Sequence, residues 1–342
     1  MKKSVWISMI VAGACILAGL ACILVGHILG GNKIMTSADT RNMVTTTLTP
    51  EGEFTSISVD AITADVEFLY AEDGVCRVEA TDRKGINYTA EVKDGILTVR
   101  AEDTRQWYNR IGIMVGSHAY LHVYLPAKSY ESLTVDVTTG DVTVGRDFSF
   151  SGNVTLSVTT GDVSLSASVQ GDTRLDATTG DLLAEGTYKT VTVTAGTGDV
   201  TIRRSEIDAL SVTTGSGDVI LEELTAAGTV RVKTTTGEQS LRRVICGELD
   251  LEVNTGDVTL TDTVASGHLR AETTTGDVTL TRADAATLNL KTGSGSVKGS
   301  IRTPKVFYAD STSGSIDIPK STEGGLCEIK TTSGSIHITL EE

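Results

Sequence analysis

LDLEVNTGDVTL, residues 249–260, reads as two short strands hinged on one glycine. Leu249, Leu251 and Val253 lie seven, five and three places before Gly256, and Val258 and Leu260 lie two and four after it. Alternation at period two on both sides of a glycine marks strands that each bury one face. The same offsets return Leu133, Val135, Val137, Val142 and Val144 about Gly140, and Val191, Val193, Ala195, Val200 and Ile202 about Gly198. The turn, Thr-Thr-Gly-Asp or a near variant, places its glycine at 140, 161, 180, 198, 217, 237, 256, 276, 295, 314 and 334, in steps of 18 to 21 residues. A period near twenty is the signature of a stacked array. A third apolar residue follows about eight after each glycine, at Phe148, Val169, Tyr188, Ile207, Leu224, Val244 and Val264, so each repeat aims apolar groups inward from three places.

Two architectures suit this pattern, a β-solenoid and a meander of antiparallel hairpins, and the outward positions favour the solenoid. In a solenoid each residue lies ~4.8 Å from its counterpart one repeat later. Four before the glycine the chain reads Lys233, Glu252, Glu272, Lys291, Asp310, Lys330, with four of five steps opposite in charge; six before, it reads Arg231, Asp250, Arg270. Opposite charges in register stabilise adjacent strands by about 0.2–1 kcal/mol per pair, and a meander would not bring these offsets together. The expected fold is therefore all-β, a parallel β-solenoid of about 12 coils with a period of about 19–20 residues, carrying an antiparallel β cap near its N-terminus and one N-terminal transmembrane helix.

Composition agrees with a repeat protein: 35 glycines, 4 prolines and 4% aromatic residues in 342, because narrow coils are filled by Val, Leu, Ile, Thr and Ala. The net charge of −15 argues against a nucleic-acid partner, whose phosphates need a basic face. Of the five cysteines, Cys15 and Cys22 fall in the apolar N-terminal segment. Cys246 and Cys327 stand about four coils apart, ~19 Å, beyond the ~7 Å Cα limit for a disulfide. No disulfide framework is indicated, and Cys327, at an inward offset, reads as a small buried hydrophobe.

Taken in order, residues 1–30 read as the anchor: Val5 to Leu29 is 25 residues without Lys, Arg, Asp or Glu, preceded by Lys2 and Lys3. As a helix it spans ~37 Å, enough for a ~30 Å hydrocarbon core. Gly19-Leu20-Ala21-Cys22 approaches a lipoprotein box, but the apolar run continues seven residues further, so an uncleaved anchor is expected. The tighter basic cluster is N-terminal, which predicts a single-pass protein of the cell membrane with its repeats extracytoplasmic, against Lys33 and Arg41 on the other flank. Ala14, Ala18, Cys22, Gly26 and Gly30 form a stripe of small residues, a candidate surface for self-association of the helix as a homo-oligomer. Residues 31–53, polar and Thr-rich, read as a juxtamembrane linker. Residues 54–130 hold a degenerate first coil, with Ala64 in the glycine position, and the strands of the cap, Lys93-Asp94-Gly95 being a hairpin turn; 131–342 are the repeats. Trp107 and Tyr108 are the one aromatic cluster expected to be exposed.

The strand–TTGD–strand repeat, the N-terminal hairpin region and the single anchoring helix resemble the bacterial putative-adhesin family of β-strand-repeat cell-surface proteins, a domain of unknown function. The resemblance covers about residues 53 to 342. It implies a right-handed β-helical ectodomain with roles in adhesion or envelope-stress modules, and it carries over no catalytic residues. The last three copies depart from the pattern, with Ser296, Ser315 and Ser335 in place of the acid.

No nucleophile elbow, phosphate loop or metal-ligand cluster is apparent, and of the scattered histidines only His118 and His122 share a strand face, without a third ligand. One column carries charge that must be relieved: Asp141, Asp162, Asp181, Asp199, Asp218, Glu238, Asp257 and Asp277. Neighbours one coil apart would repel by ~1–3.5 kcal/mol per pair. Turn N–H groups and the hydroxyls of Thr138, Thr139, Thr159 and Thr160 are the expected relief; Ca²⁺ held between coils, which needs six to eight oxygens, is the alternative. No catalytic residue and no cofactor is expected apart from that Ca²⁺. These features describe a non-enzymatic, membrane-anchored extracellular scaffold, adhesin-like or envelope-associated, for a cell-surface glycan or protein. The alternatives are a β-helical enzyme acting on surface polysaccharide, which would cluster unlike acids and bases on one coil, and an accessory protein of a membrane envelope-stress sensor.

Overall fold

The computed structural model describes residues 43–105 and 119–341. The apolar segment with its small-residue stripe, Trp107, Tyr108 and His118 lie outside the described residues. Among the described residues no helix is long and apolar enough to cross a membrane.

The repeats form a parallel β-solenoid of about ten turns. Strands one repeat apart pair in register: Leu249 opposes Val230 on one side and Leu269 on the other, and Leu251 opposes Val232 and Ala271. The arm after the glycine stacks likewise, with Val258 between Gln239 and Val278. The apolar positions on both arms are buried in all but the outermost coil, Leu251, Val258 and Leu260 completely. The close approach of the coils dictates the glycine. At Gly217, φ is +137°, and a Cβ there would stand 2.0 Å from the carbonyl oxygen of Gly198 in the coil beneath. Eleven glycines and Ala64 thus stack as twelve corners, but the first coil is interrupted by the cap and the last lacks a third side, so fewer than the expected 12 coils close fully.

The third side differs from its expected form. It is a strip of short pairings running Tyr130, Phe150, Val169, Tyr188, Ile207 and Ala226, then Cys246, Ala265 and Ala285. Leu224 and Val244 belong to a separate inward column beside it, opposite one another, and Val264 is only half-buried. Loop lengths around this corner vary by a residue or two, so one fixed offset from the glycine crosses between columns.

The cap is built from seven strands: β1 (Met43–Leu48), β2 (Ser56–Ala61), β3 (Ala64–Tyr70), β4 (Arg77–Arg83), β5 (Ile86–Lys93), β6 (Ile96–Asp103) and β7 (Ala119–Leu125). Strands β2 and β3 are the two arms of the Ala64 coil. Beneath them β6 and β7 add one more parallel layer, Leu97 opposite Ile57 and Leu121 opposite Val66. Only then does pairing become antiparallel, through β5 on β6, β4 on β7 and β1 on β4. Asp94 and Gly95, at φ 52° and 77°, make the hairpin turn between β5 and β6. Strand β1 occupies part of the stretch expected to be a linker, so the ordered fold begins before residue 53.

At the C-terminal end the chain leaves sequential order. The strand Leu326–Ser333 inserts between Val278–Ser294 and Val306–Ser313, so the Gly334 coil lies on the Gly295 coil and the Gly314 coil is outermost. This corrects the expected charge column. Lys291 stands opposite Lys330, and Asp310 follows Lys330 as the last member. The like pair is relieved within the coil, where Lys330 bonds Glu328 at 2.5 Å.

Candidate functional site: the charged columns of the outer surface

Each turn acid sits at the corner just after its glycine, where the backbone N–H of the next acid points along the stack. The N–H of Asp162 donates to Asp141 Oδ1 at 2.8 Å, and the same bond links Asp181 to Asp162, Asp199 to Asp181, Asp218 to Asp199 and Glu238 to Asp218 at 2.7–2.8 Å. Asp65 starts the series by accepting from Asp141, and Asp277 ends it by accepting from Ser296. Relief of the repulsion therefore comes from the turn N–H of the following coil rather than from the threonine hydroxyls beside the acid. The step from Glu238 to Asp257 is the one acidic step without this bond among the described residues; the longer side chain carries its carboxylate past the donor. Beyond Asp277 serine hydroxyls continue the series, Ser335 N–H donating to Ser296 Oγ and Ser315 N–H to Ser335 Oγ. The Asp277 carboxyl is held below the usual carboxylate range by Lys298 at 2.8 Å and by the Ser296 N–H.

The expected ladder six before the glycine is present: Arg231 and Arg270 both hold Asp250, at 3.1 and 2.8 Å. Burial pushes the Asp250 carboxyl up, but the two guanidinium groups outweigh it and leave its pKa lowered. Four before the glycine Lys233 meets Glu252 at 3.1 Å.

A further ladder lies on the opposite corner, five and six places after the glycine. Arg203, Glu222 and Arg242 stand opposite one another in register, and Glu222 contacts Arg242 and Arg243. Beside them Arg204, Glu223, Arg243, Asp262 and Arg282 alternate in sign over five consecutive coils, all with φ between 46° and 54°. Arg204 bonds Glu185 at 2.5 Å, Arg243 bonds Glu223 at 2.6 Å and Arg282 bonds Asp262 at 2.6 Å. Left-handed backbone is unfavourable for such residues by about 1 kcal/mol or more each, and the stack imposes it at the same corner of these five coils. Arg204 holds the Glu185 carboxyl low, and Arg282 does the same for Asp262.

Outside these columns three features stand out. On the outer face of β7 Tyr120 stacks on His122 at 4.5 Å, Tyr124 meets His122 edge-on, and Arg77 lies 4.3 Å over the Tyr124 ring. A cleft of about 630 Å³ near the coil crossing is lined by Ala265, Ala285, Pro304 and Gly325 and floored by a buried pair, Lys305 to Asp284 at 2.7 Å. Among the described residues Cys76, Cys246 and Cys327 are free and buried, and burial pushes the thiols of Cys246 and Cys327 up to about 12, which leaves them unreactive. Among the described residues no group of three or more His, Cys, Asp or Glu is placed to hold a metal ion. The charged side chains on the outer corners of the stack are thus arranged largely as columns that tie coil to coil.

Among solved structures the chain is similar to a putative lipid binding protein from Parabacteroides distasonis ATCC 8503, at 14% identity over 88% of this chain and 98% of that one, with a TM-score of 0.42. A putative adhesin from the same organism gives 13% over 86% and 96% at 0.41, and one from Parabacteroides merdae ATCC 43184 gives 13% over 88% and 97% at 0.35. No curated protein matches. The model of the Toastrack DUF4097 family matches residues 54–306, about three quarters of the chain, and the chain belongs to that family of β-strand-repeat proteins.

Proposed function

We propose that this protein is a non-enzymatic binding scaffold, adhesin-like, held in the cell membrane by residues 5–29 with its solenoid outside the cytoplasm. The observation that carries the proposal is the use of the turn acids: one oxygen of every aspartate in the column from Asp65 to Asp277 is occupied by an N–H of the next coil, Glu238 alone standing apart. A β-helical enzyme acting by acid and base needs a few unlike groups converging on one coil. Here the acids repeat a stabilising contact, and the result is a rigid rod whose long faces display regular rows of threonine, serine and paired charges, suited to contact with an extended glycan or a protein. The same geometry supports reading the acid column as a structural ladder, with Ca²⁺ between coils as the alternative. The 25-residue apolar segment supplies the anchor and, through Ala14, Ala18, Cys22, Gly26 and Gly30, a surface for helix pairing. Protease added to intact, wall-stripped cells tests the topology: removal of the repeats supports it, and digestion only after lysis reverses it. Screening the full chain in detergent against cell-wall glycans and matrix proteins tests the binding role; turnover of a glycan instead of retention would establish the enzyme.

A further inference from the structure

The two ends of the solenoid are finished differently. At the N-terminal end β4, β5 and β1 cover the stack, and Val78 and Leu97 are completely buried. At the C-terminal end, among the described residues, the strand Val306–Ser313 pairs with Leu326–Ser333 on one side only, and Ile316–Asp317 pairs only with the arm beneath it. Positions that are inward in every other coil are open here: Ile316 is 44% exposed, whereas Ile336, its register partner one coil below, is 0% exposed. Val306 and Tyr308 add exposed apolar surface at 41% and 58%, and Phe307 and Ala309 are only partly covered. A free parallel edge with apolar side chains is a site for pairing with another strand.

Charge identifies the occupant. Residues 287–342 hold six Lys and Arg and six Asp and Glu, so they are neutral, and the whole net charge of −15 lies in residues 1–286. The three coils that replace the turn acid by Ser296, Ser315 and Ser335 are the three at this end. An acidic protein repels its own copies everywhere except where its charges balance. We propose that the open coil is an interface with a second copy of this chain, the two Val306–Ser313 strands pairing antiparallel about a two-fold axis. A two-fold contact uses the same patch on both partners, which a neutral apolar edge satisfies. An eight-residue strand is about 26 Å long, and the face it presents is on the order of several hundred Å² per partner, at the low end of specific interfaces, so pairing should be reversible and concentration-dependent. This deepens the proposed function and rests on it for one consequence: with anchors at the far ends, two copies so joined bridge two membranes.

Sedimentation of the full chain in mild detergent tests the interface. In the Gly26→Ile background, which disfavours pairing of the apolar segments, the chain should pass from monomer to dimer as concentration rises, and Ala309→Lys and Tyr308→Lys should each weaken that dimer about tenfold or more, while Ile220→Lys, exposed on the outer face of a middle coil, should not. Hydrogen exchange of the wild type provides a second measure: amides of 306–313 should gain protection at high concentration. A monomer at all concentrations, a dimer indifferent to both lysine variants, or a dimer without protection of 306–313 overturns the proposal. Reversed topology in the protease experiment would remove the bridging of membranes and leave the dimer standing.

Discussion

Gly217→Ala should be among the most damaging small changes in the solenoid. The added Cβ would lie 2.0 Å from the Gly198 carbonyl oxygen and 2.5 Å from its carbon, both backbone atoms that cannot swing aside. Relief to ordinary contact requires the two coils to part locally by more than 1 Å, which stretches the Gly198 N–H to Ser216 O bond of 2.9 Å and the Asp218 N–H to Asp199 Oδ1 bond of 2.8 Å beyond hydrogen-bonding range. Two such bonds are worth about 1 kcal/mol each, and a non-glycine residue at a φ of +137° adds about 1–3 kcal/mol, for about 3–5 kcal/mol altogether. Because coils contact only their neighbours, the loss should be local. Hydrogen exchange should show weakened protection in the Gly198, Gly217 and Gly237 coils with the cap and the C-terminal coils unchanged, and the main urea transition should move down. Wild-type stability, or uniform loss from residue 55 to 341, would refute the close-stacking argument.

Glu238→Asp should restore the missing N–H bond to Asp257 and raise stability by about 1 kcal/mol in urea titration; a neutral or destabilising result would show that the ladder contributes nothing. Lys305→Met leaves Asp284 buried without its partner and should cost about 3–5 kcal/mol, most of it recovered in Lys305→Met with Asp284→Leu; equal loss in the single and double variants would contradict a charge effect. Asp250, Asp262, Asp277 and Glu185 all have lowered pKa values in the folded chain, so their contribution is complete above the ordinary carboxylate value of about 4 and is lost as pH falls through the lowered values. Burial raises that of Asp82, which acts in the opposite sense, its contribution declining as pH rises through the raised value. Melting temperature should therefore fall on acidification below about pH 4, the four outweighing the one, and no fall would mean the ion pairs are idle.

The stack was legible in the sequence because glycine, flanking alternation and acid recur at fixed offsets, and each has a steric or hydrogen-bonding cause. The inserted coil was not legible. Thr312-Ser313-Gly314-Ser315-Ile316 and Thr332-Ser333-Gly334-Ser335-Ile336 are the same five residue types, so either coil fits either slot locally. What separates them is burial: the inner slot takes Cys327, Ile329 and Ile338, and the outer takes Phe307, Ala309 and Ile318. The ladder of Arg204, Glu223, Arg243, Asp262 and Arg282 was present at six places after the glycine, where the register still holds. Their left-handed backbone carried no signal, since no glycine or asparagine marks it.

The acid column is the most direct test of the account. Asp199→Asn together with Asp218→Asn keeps an oxygen to accept the N–H of the next coil and removes two charges. If the column is a structural ladder, the double variant should melt at or slightly above the wild-type temperature, and Ca²⁺ should shift neither protein more than Mg²⁺ at equal ionic strength. A Ca²⁺-specific rise in the wild type, abolished in the double variant and accompanied by exchange protection around Asp141 to Asp277 but not around Ser296 to Ser335, would contradict it.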